Sequence, residues 1–151
     1  MARRLHDPKV CAETARRIGL VTPETTARWG SMNAGAMLCH LRDALEVALR
    51  EREVSPVPIR GRRIVRLLAL SPIPFPRSVQ APPEVDPARD GSSPEEFAAD
   101  RASLLATLDR YAAQPLDGPA FDHPILGPFT PAQWSFFQWK HCDHHLRQFG
   151  V

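Results

Sequence analysis

The chain has 151 residues, of which 43% are hydrophobic and 24% are charged, and its formal net charge at pH 7 is +2. This size and composition predict one globular domain, residues 1–151, rather than a disordered chain. The small net charge argues against a nucleic-acid partner. The longest apolar run, residues 64–75, is too short and too interrupted by proline and arginine to cross a bilayer. We therefore expect neither a nucleic-acid nor a membrane partner.

The cysteines and the N-terminal residues indicate a cellular compartment. Cys11, Cys39 and Cys142 are an odd number of cysteines at wide spacings, so they predict neither a disulfide framework nor a paired-cysteine motif. Free thiols fit a reducing environment. The N-terminus is positively charged but has no apolar segment, so it does not resemble a signal peptide. These features predict a cytoplasmic protein.

Two helices are predicted in the first third of the chain. The first begins at Pro8, with Asp7 as its cap, and ends near Gly19. Asn33 can cap a second helix, which extends to about Arg52 and carries apolar residues at helical spacing. Both helices therefore present one apolar face to a core.

The segment 54–93 is the least regular part of the sequence. Its eight prolines exclude long helices and central strands, although residues 62–70 can form one short helix. So long a connection favours a crossover along a bundle, a lid, both of these, or partial disorder. Four arginines cluster there: Arg60, Arg62, Arg63 and Arg66. We interpret this cluster as solvated surface; the alternatives are binding of an anionic thiol or substrate, or contact with nucleic acid.

The second half of the chain predicts two more long helices. Ser93–Glu96 has the pattern of a capping box and opens a third helix that extends to about Ala113. Residues 117–129 are predicted as a loop, and no alternating strand pattern is found. Thr130–Gln133 repeats the capping-box pattern, and the fourth helix runs to Phe149. Four long helices without strands predict an all-α bundle.

Three of the six histidines lie within five residues of the last helix. His141 and His145 are one turn apart and share a face with large apolar residues, so they can bind one metal ion through neutral ring nitrogens. His144 lies at the margin of this face, and a helical wheel alone does not decide between His144 and His145 as the second ligand. The pair favours a metal site over the alternative, which is ordinary buried or exposed histidines.

A third ligand must come from elsewhere in the chain. His40 is the natural candidate, because it lies on the apolar face of the second helix and bundles build metal sites from facing helices. Three histidines leave positions for water, as in catalytic sites. A zinc-protease motif is excluded, since Cys142 rather than glutamate follows His141. Asp43, which is expected to face water, and Asp143 are the only candidates for a general base, so the catalytic residues stay unassigned.

Two stretches of the chain resemble the DinB/YfiT-like superfamily, and most closely a branch known only as a domain of unknown function. The stretches are Trp29–Leu41 and parts of His123–Gly150, which ends in HCDHHLRQFG. The resemblance implies a four-helix bundle with a long proline-rich crossover between helices 2 and 3. It also implies one metal ion held by His40, His141 and His145.

The same resemblance leads to expectations about function. The superfamily pattern H-x-x-x-H-R-G-Q keeps its final glutamine here as Gln148, with leucine and arginine at the two positions before it. The metal in such bundles is nickel, zinc or iron, and some relatives are transferases or isomerases that use mycothiol, bacillithiol or glutathione. We expect a divalent metal ion, zinc or nickel or else iron, and a small thiol or an anionic small molecule as partner. The activity would be that of a metal-dependent hydrolase or a thiol-dependent transferase; the alternative is a metal-stabilised bundle that binds a ligand or partner without turnover.

The last helix is apolar on more than one side. Phe136 and Trp139 lie opposite His141 on a helical wheel. A second apolar face is either ordinary core or the contact surface of a homodimer. The sequence alone does not distinguish between these two interpretations.

Overall fold

The structure is a computed structural model and describes residues 3–77 and 79–151. Within these ranges the chain is mostly helical, as predicted, with five α-helices, one short 3-10 helix and two short strands. The α-helices are α1 (Pro8–Leu20), α2 (Ala34–Ala48), α3 (Arg62–Ala69), α4 (Phe97–Ala112) and α5 (Pro131–Gln148). In the described part of the chain, no helix has both the length and the apolar character needed to span a membrane. Ser78, in the predicted crossover, lies outside the described residues.

The N-terminal caps of three helices match the sequence patterns. The Asp7 carboxylate and the Asn33 side-chain oxygen accept hydrogen bonds from backbone N–H groups in the first turns of α1 and α2, at 2.9 and 2.8 Å. Thr130 and Gln133 form the predicted capping box of α5. These bonds satisfy N–H groups that have no partner inside the helix. The predicted starts of α1, α2 and α5 are therefore confirmed.

The end of α2 and the environment of Asp43 differ from the predictions. The helix ends at Ala48 rather than Arg52, because Arg50 has a left-handed backbone conformation with φ of 61°. The chain then turns back, and the Asp43 carboxylate accepts hydrogen bonds from Arg52 (2.9 Å) and from the backbone N–H and hydroxyl of Ser92 (both 2.7 Å). Asp43 is 0% exposed, so the prediction that it faces water was wrong.

The start of α4 also differs from the prediction. The helix begins at Phe97, and the predicted capping residue Ser93 lies before it. Glu96 is the cap instead, because its carboxylate accepts hydrogen bonds from two backbone N–H groups of the first turn, at 3.0 and 2.7 Å. The helix ends at Ala112, one residue before the predicted end.

The predicted loop 117–129 contains a small antiparallel hairpin. Its strands are β1 (Phe121–His123) and β2 (Gly127–Phe129). Strands of three residues are too short to show an alternating pattern, which explains why the sequence did not reveal them. The hairpin rests on α5, since the Trp134 indole N–H donates to the Phe121 carbonyl oxygen (3.3 Å) and the two rings stack at 4.9 Å.

The apolar core joins the four long helices. Both α1 and α2 pack against α4 and α5. The largest fully buried side chains are Leu5, Ile18, Val21, Met37, Leu38, Leu41, Leu45, Leu104, Leu108, Phe129, Trp134 and Leu146. They come from all four of these helices, from β2, from the N-terminal segment and, for Val21, from the residue just after α1. Burial of these side chains provides the main favourable free energy of folding.

The N-terminal segment packs beside the second apolar face of α5. Leu5 is fully buried, and its backbone N–H donates to the Ser135 carbonyl oxygen (3.4 Å). The Arg3 guanidinium lies 5.6 Å from the ring centre of Trp139. Phe136 is only 9% exposed. Much of the face that was considered for a homodimer is therefore covered within the chain itself.

Candidate metal centre

Three histidines from two helices meet in the interior of the protein. His40 lies in α2, and His141 and His145 lie one turn apart in α5. The Nε2 atom of His141 is 3.0 Å from Nε2 of His40 and 3.1 Å from Nε2 of His145. Each residue offers one potential ligand atom, and these atoms all lie within 4.8 Å of one another. The group of three could therefore hold a metal ion.

The outer ring nitrogens of two of these histidines are held by other groups. His40 Nδ1–H donates to the carbonyl oxygen of Val85 in the 3-10 helix Pro83–Val85 (2.5 Å). His145 Nδ1–H donates to Gln148 Oε1 (2.8 Å), and the Gln148 amide donates in turn to the Trp29 carbonyl oxygen (2.8 Å). Acceptors on Nδ1 fix the proton there. The tautomers assigned in this way leave an Nε2 lone pair on both rings.

The chemistry of these nitrogens fits a metal ion. The lone pairs of His40 and His145 both point to His141 Nε2, and one proton on His141 can bridge to only one of them. The lone pair on the other ring would then face a nitrogen that has no proton left to donate to it, unless a cation lies between the rings. With metal–nitrogen bonds of about 2.0–2.1 Å, two nitrogens bound to one ion lie roughly 2.9–3.4 Å apart. Both separations from His141 Nε2 match this value.

Burial lowers the pKa of all three histidines. For His40 it outweighs the hydrogen bond to Val85, which favours the charged ring. For His141 and His145 the neighbouring histidines lower the pKa further. The three rings are therefore neutral at pH 7, which is the form that binds a metal.

The three histidines line a mostly apolar cavity with a volume of about 640 Å³. We call His40, His141, His145 and the supporting Gln148 the histidine wall. Another part of the lining comes from α3 and the residues after it, and we call it the α3 wall: Val65, Leu68, Ala69, Ile73 and Phe75. Cavities of this size and character are typical of small-molecule sites.

Lys140 attaches the α3 wall to α5. Its Nζ donates hydrogen bonds to the carbonyl oxygens of Leu68, Ala69 and Ser71, at 3.1, 3.0 and 2.8 Å. Nζ also lies 4.4 Å from the ring centre of Phe75. Burial lowers the pKa of Lys140 to about 8. The carbonyls at the C-terminal end of α3 thus gain a cationic donor, which the helix dipole favours.

His144 lies beside the three-histidine group but is not part of it. Its ring packs edge-on against Trp29, at a centroid distance of 5.8 Å, and lies 5.9 Å from Phe75. The helical wheel did not distinguish His144 from His145; in the structure His145 is the one that lies in the group with His40 and His141. His145 turns towards His40 and His141, and His144 lines the cavity nearby.

The two carboxylates considered as general bases are both engaged in ion pairs. Asp43 is paired with Arg52 (2.9 Å). Asp143 is paired with Arg17 (2.8 Å) and with Arg147 (3.0 Å). Neither residue lines the cavity beside the histidines, so neither carboxylate is placed to act on a molecule bound there.

The three cysteines are free thiols, as predicted. Cys39 and Cys142 are buried, and burial is the main cause that raises the pKa of Cys39 to about 11 and of Cys142 to about 12. Burial also raises the pKa of Cys11. The thiolate is the nucleophilic and metal-binding form, so these protonated thiols serve as packing residues.

The arginine cluster is divided between two roles. Arg60, Arg62 and Arg63 are exposed. Arg66 is partly buried, and its guanidinium donates to Gln133 Oε1 (3.2 Å), which links α3 to the start of α5. Three of the four positive charges therefore remain at the surface.

Sequence reasoning missed three residues that shape this region. Val85 supports His40 through a backbone carbonyl, which leaves no trace in the residue type. Lys140 is buried although lysine usually faces solvent. His123 lines the cavity from the end of β1, but no helical spacing relates it to the other histidines.

Comparison with known proteins agrees with the resemblance seen in the sequence. A model of the DinB superfamily matches residues 13–149. Neither the search of curated proteins nor that of solved structures found a match. Members of the matched superfamily are helical and often bind metal ions. Because the match extends over nearly the whole chain, the protein belongs to the DinB superfamily.

Proposed function

We propose that His40, His141 and His145 bind one divalent metal ion and that this ion acts on a small molecule in the adjoining cavity. The observation that carries the proposal is the convergence of three Nε2 atoms, with separations of 3.0 and 3.1 Å from His141. His40 and His145 each present an Nε2 lone pair, and a single proton on His141 can satisfy only one of the two. A metal ion satisfies all three.

The reaction that we propose is hydrolysis or the transfer of a small thiol. A divalent metal ion would supply Lewis acidity, which lowers the pKa of a bound water or thiol or polarises a carbonyl group. The chain contributes ligands whose orientation is fixed by Val85 and Gln148. The mostly apolar walls of the cavity would hold the carbon skeleton of a small molecule beside the ion.

The second candidate is a metal-stabilised protein that binds a small ligand or partner without turnover. The position of Asp43 and Asp143 outside the cavity lining favours it, because neither is then available as a general base. Assays with small thiols and electrophiles distinguish the two candidates. Metal-dependent consumption of a thiol or release of a hydrolysis product supports the enzyme, and ligand binding without turnover supports the second candidate.

The metal that we propose is zinc or nickel, with iron as the third choice. Neutral imidazole suits all three ions, and the ligand set contains no thiolate or carboxylate that would favour one of them. The partner that we propose is a small thiol or an anionic small molecule. Arg60, Arg62 and Arg63 supply exposed positive charge beside α3 that could attract it.

We also propose a specific architecture for the helices. We propose that α1, α2, α4 and α5 form a four-helix bundle in one domain, residues 1–151, with segment 49–96 as the proline-rich crossover between α2 and α4. The packing of α1 and α2 on α4 and α5 supports this.

A cytoplasmic location is supported by the free thiols. A homodimer through Phe136 and Trp139 has weaker support, because the N-terminal segment packs on that face.

The experiment that tests metal binding is elemental analysis of tag-free protein and four variants. His40→Ala, His141→Ala and His145→Ala should each lose the metal found in the unaltered protein. His144→Ala is the matched control, since it removes a neighbouring histidine outside the group of three, and it should keep the metal. Full metal content in any of the first three variants would contradict the ligand assignment.

A further inference from the structure

His123 is held in one tautomer by the turn of the hairpin. Its Nδ1 accepts hydrogen bonds from the backbone N–H groups of Ile125 (3.1 Å) and Leu126 (3.3 Å). A nitrogen that accepts from two N–H donors carries no proton, so the proton of the neutral ring is on Nε2. The hairpin therefore turns His123 into a hydrogen-bond donor of fixed orientation.

The surroundings of His123 keep this ring neutral. It packs among three aromatic rings, with centroid distances of 5.3 Å to Phe129, 5.2 Å to Trp134 and 4.8 Å to Phe137. Burial in this apolar environment lowers the pKa of His123 to about 4. The side chain thus stays a neutral donor over the physiological pH range.

The Nε2–H group of His123 has no acceptor among the described residues, although the residue lines the same cavity as the three histidines. Three lining residues have a buried polar atom without a partner, namely the Trp29 indole nitrogen, Gln138 Oε1 and His141 Nδ1, but protein atoms cover all three. His123 Nε2 is not among these covered atoms. It is therefore a donor that a ligand in the cavity can reach.

The remaining lining determines what kind of molecule fits. Most of the cavity surface is apolar, and the α3 wall contributes only aliphatic and aromatic side chains. Beside these apolar walls a charged or highly polar group would lose its hydration without compensation. A ligand whose apolar part lies against these walls, with an acceptor atom towards His123, would satisfy the His123 donor and bury its apolar surface.

We propose that the cavity binds an apolar molecule with one hydrogen-bond-accepting oxygen, and that His123 Nε2–H donates to this oxygen. The proposal names a ligand class for the site described above: the molecule that is hydrolysed or that accepts the thiol, as distinct from the thiol or anionic partner. It rests on the proposed function only in identifying that ligand as the one on which the metal acts. Binding by His123 itself requires no metal. The two ideas can therefore fail separately.

The test uses two probes that differ in one group, acetophenone and α-methylstyrene, in which a methylene replaces the carbonyl oxygen. Affinities are measured by equilibrium dialysis for protein as purified and after removal of metal with a chelator, with helical circular dichroism as a check on folding. His123→Phe keeps an aromatic ring but has no donor. In this variant the ratio of the affinity for acetophenone to that for α-methylstyrene should fall about fivefold, as expected for loss of about one net hydrogen bond. We call this ratio the preference.

Two variants control for indirect effects. His144→Phe makes the same exchange at another histidine of the cavity and should leave the preference unchanged. His123→Gln places an amide N–H near the position of Nε2 and should recover part of the preference. An unchanged preference in His123→Phe, or an equal change in His144→Phe, would overturn the proposal, whatever the metal content.

A second readout does not depend on any ligand. Nitrogen-15 NMR of the imidazole groups reports which ring nitrogen carries the proton. His123 should show the Nε2–H tautomer at pH 7 and remain neutral at pH 5.5. A protonated Nδ1 in metal-free, folded protein would contradict the donor role even if a probe binds.

Discussion

The two walls of the cavity are built differently. In the histidine wall, His40 is 4% and Gln148 6% exposed, and each ligand side chain comes from a long helix packed in the core. In the α3 wall, Leu68 is 47% and Ile73 56% exposed, and α3 is only eight residues long. The protein therefore fixes the position of its histidines more firmly than it fixes the apolar surface that faces them.

The largest effect is expected from removing the buried carboxylate of Asp43, which lies in α2 beside the histidine wall. Asp43 lies one turn after His40 in α2 and is fully buried against Arg52. Asp43→Ala should lower the free energy of unfolding by about 3 kcal/mol. This value is at the lower end of the range for broken buried ion pairs, because Arg52 keeps Glu46 as a partner (3.0 Å). Urea denaturation measures this. Asp109→Ala, an exposed aspartate of α4, is the control and should change stability by less than about 0.5 kcal/mol.

The next effect concerns the coupling of metal binding to folding. An ion held by α2 and α5 binds the folded chain preferentially, so zinc at a hundredfold excess over its dissociation constant should stabilise the metal-free protein by ~2.7 kcal/mol. The helical circular dichroism should remain nearly unchanged without metal, since the apolar core does not depend on it.

Urea denaturation with and without zinc checks this coupling. His141→Ala should show no such gain. Equal stabilisation of this variant would place the metal elsewhere, and complete loss of helix on metal removal would make the ion structural.

A smaller effect follows from the depressed pKa of His123. In the folded state this pKa is about 4, whereas in the unfolded chain it is near the ordinary value of about 6.5. Between these values the unfolded chain binds more protons, so stability falls as the pH falls from about 6.5 to about 4. This residue should account for a loss of about 2 kcal/mol between pH 7 and pH 5.

Comparison with His123→Phe isolates this contribution. Both proteins are measured without metal, so that the other histidines titrate alike and cancel in the difference. The variant should lose less stability than the unaltered protein between pH 7 and pH 5. Parallel pH profiles would show that His123 is not buried in its neutral form.

The smallest effect is expected at the outside of α3. Ile64 is 67% and Leu67 71% exposed, so Ile64→Ser and Leu67→Ser should each change the free energy of unfolding by less than about 0.5 kcal/mol. Leu41→Ala in α2 serves as the contrast and should cost about 2–5 kcal/mol, because Leu41 is fully buried. A large loss in the α3 variants, measured in the same urea titrations, would mean that α3 is packed into the core as tightly as α2.

The parts of the structure that the sequence predicted are those governed by local rules. The i,i+4 spacing of His141 and His145 and the caps Asp7, Asn33 and Thr130 depend on residues within one or two helical turns. The structure accordingly places these elements close to their predicted positions.

The parts that the sequence did not predict depend on distant contacts. Val85 is 45 residues from His40 in the chain, and Ser92 is 49 residues from Asp43. No periodic pattern encodes such a contact, so the support of His40 and the burial of Asp43 went unrecognised. The hairpin that orients His123 was missed because its strands are too short to show alternation.

The most direct test of the central claim is X-ray absorption spectroscopy of tag-free protein loaded with one equivalent of zinc. Three imidazole ligands predict nitrogen scatterers at about 2.0–2.1 Å together with the multiple scattering of imidazole rings. His145→Ala should lose one imidazole contribution. A sulfur scatterer at about 2.3 Å, which would implicate a cysteine, or a spectrum without imidazole features would contradict a metal centre formed by His40, His141 and His145.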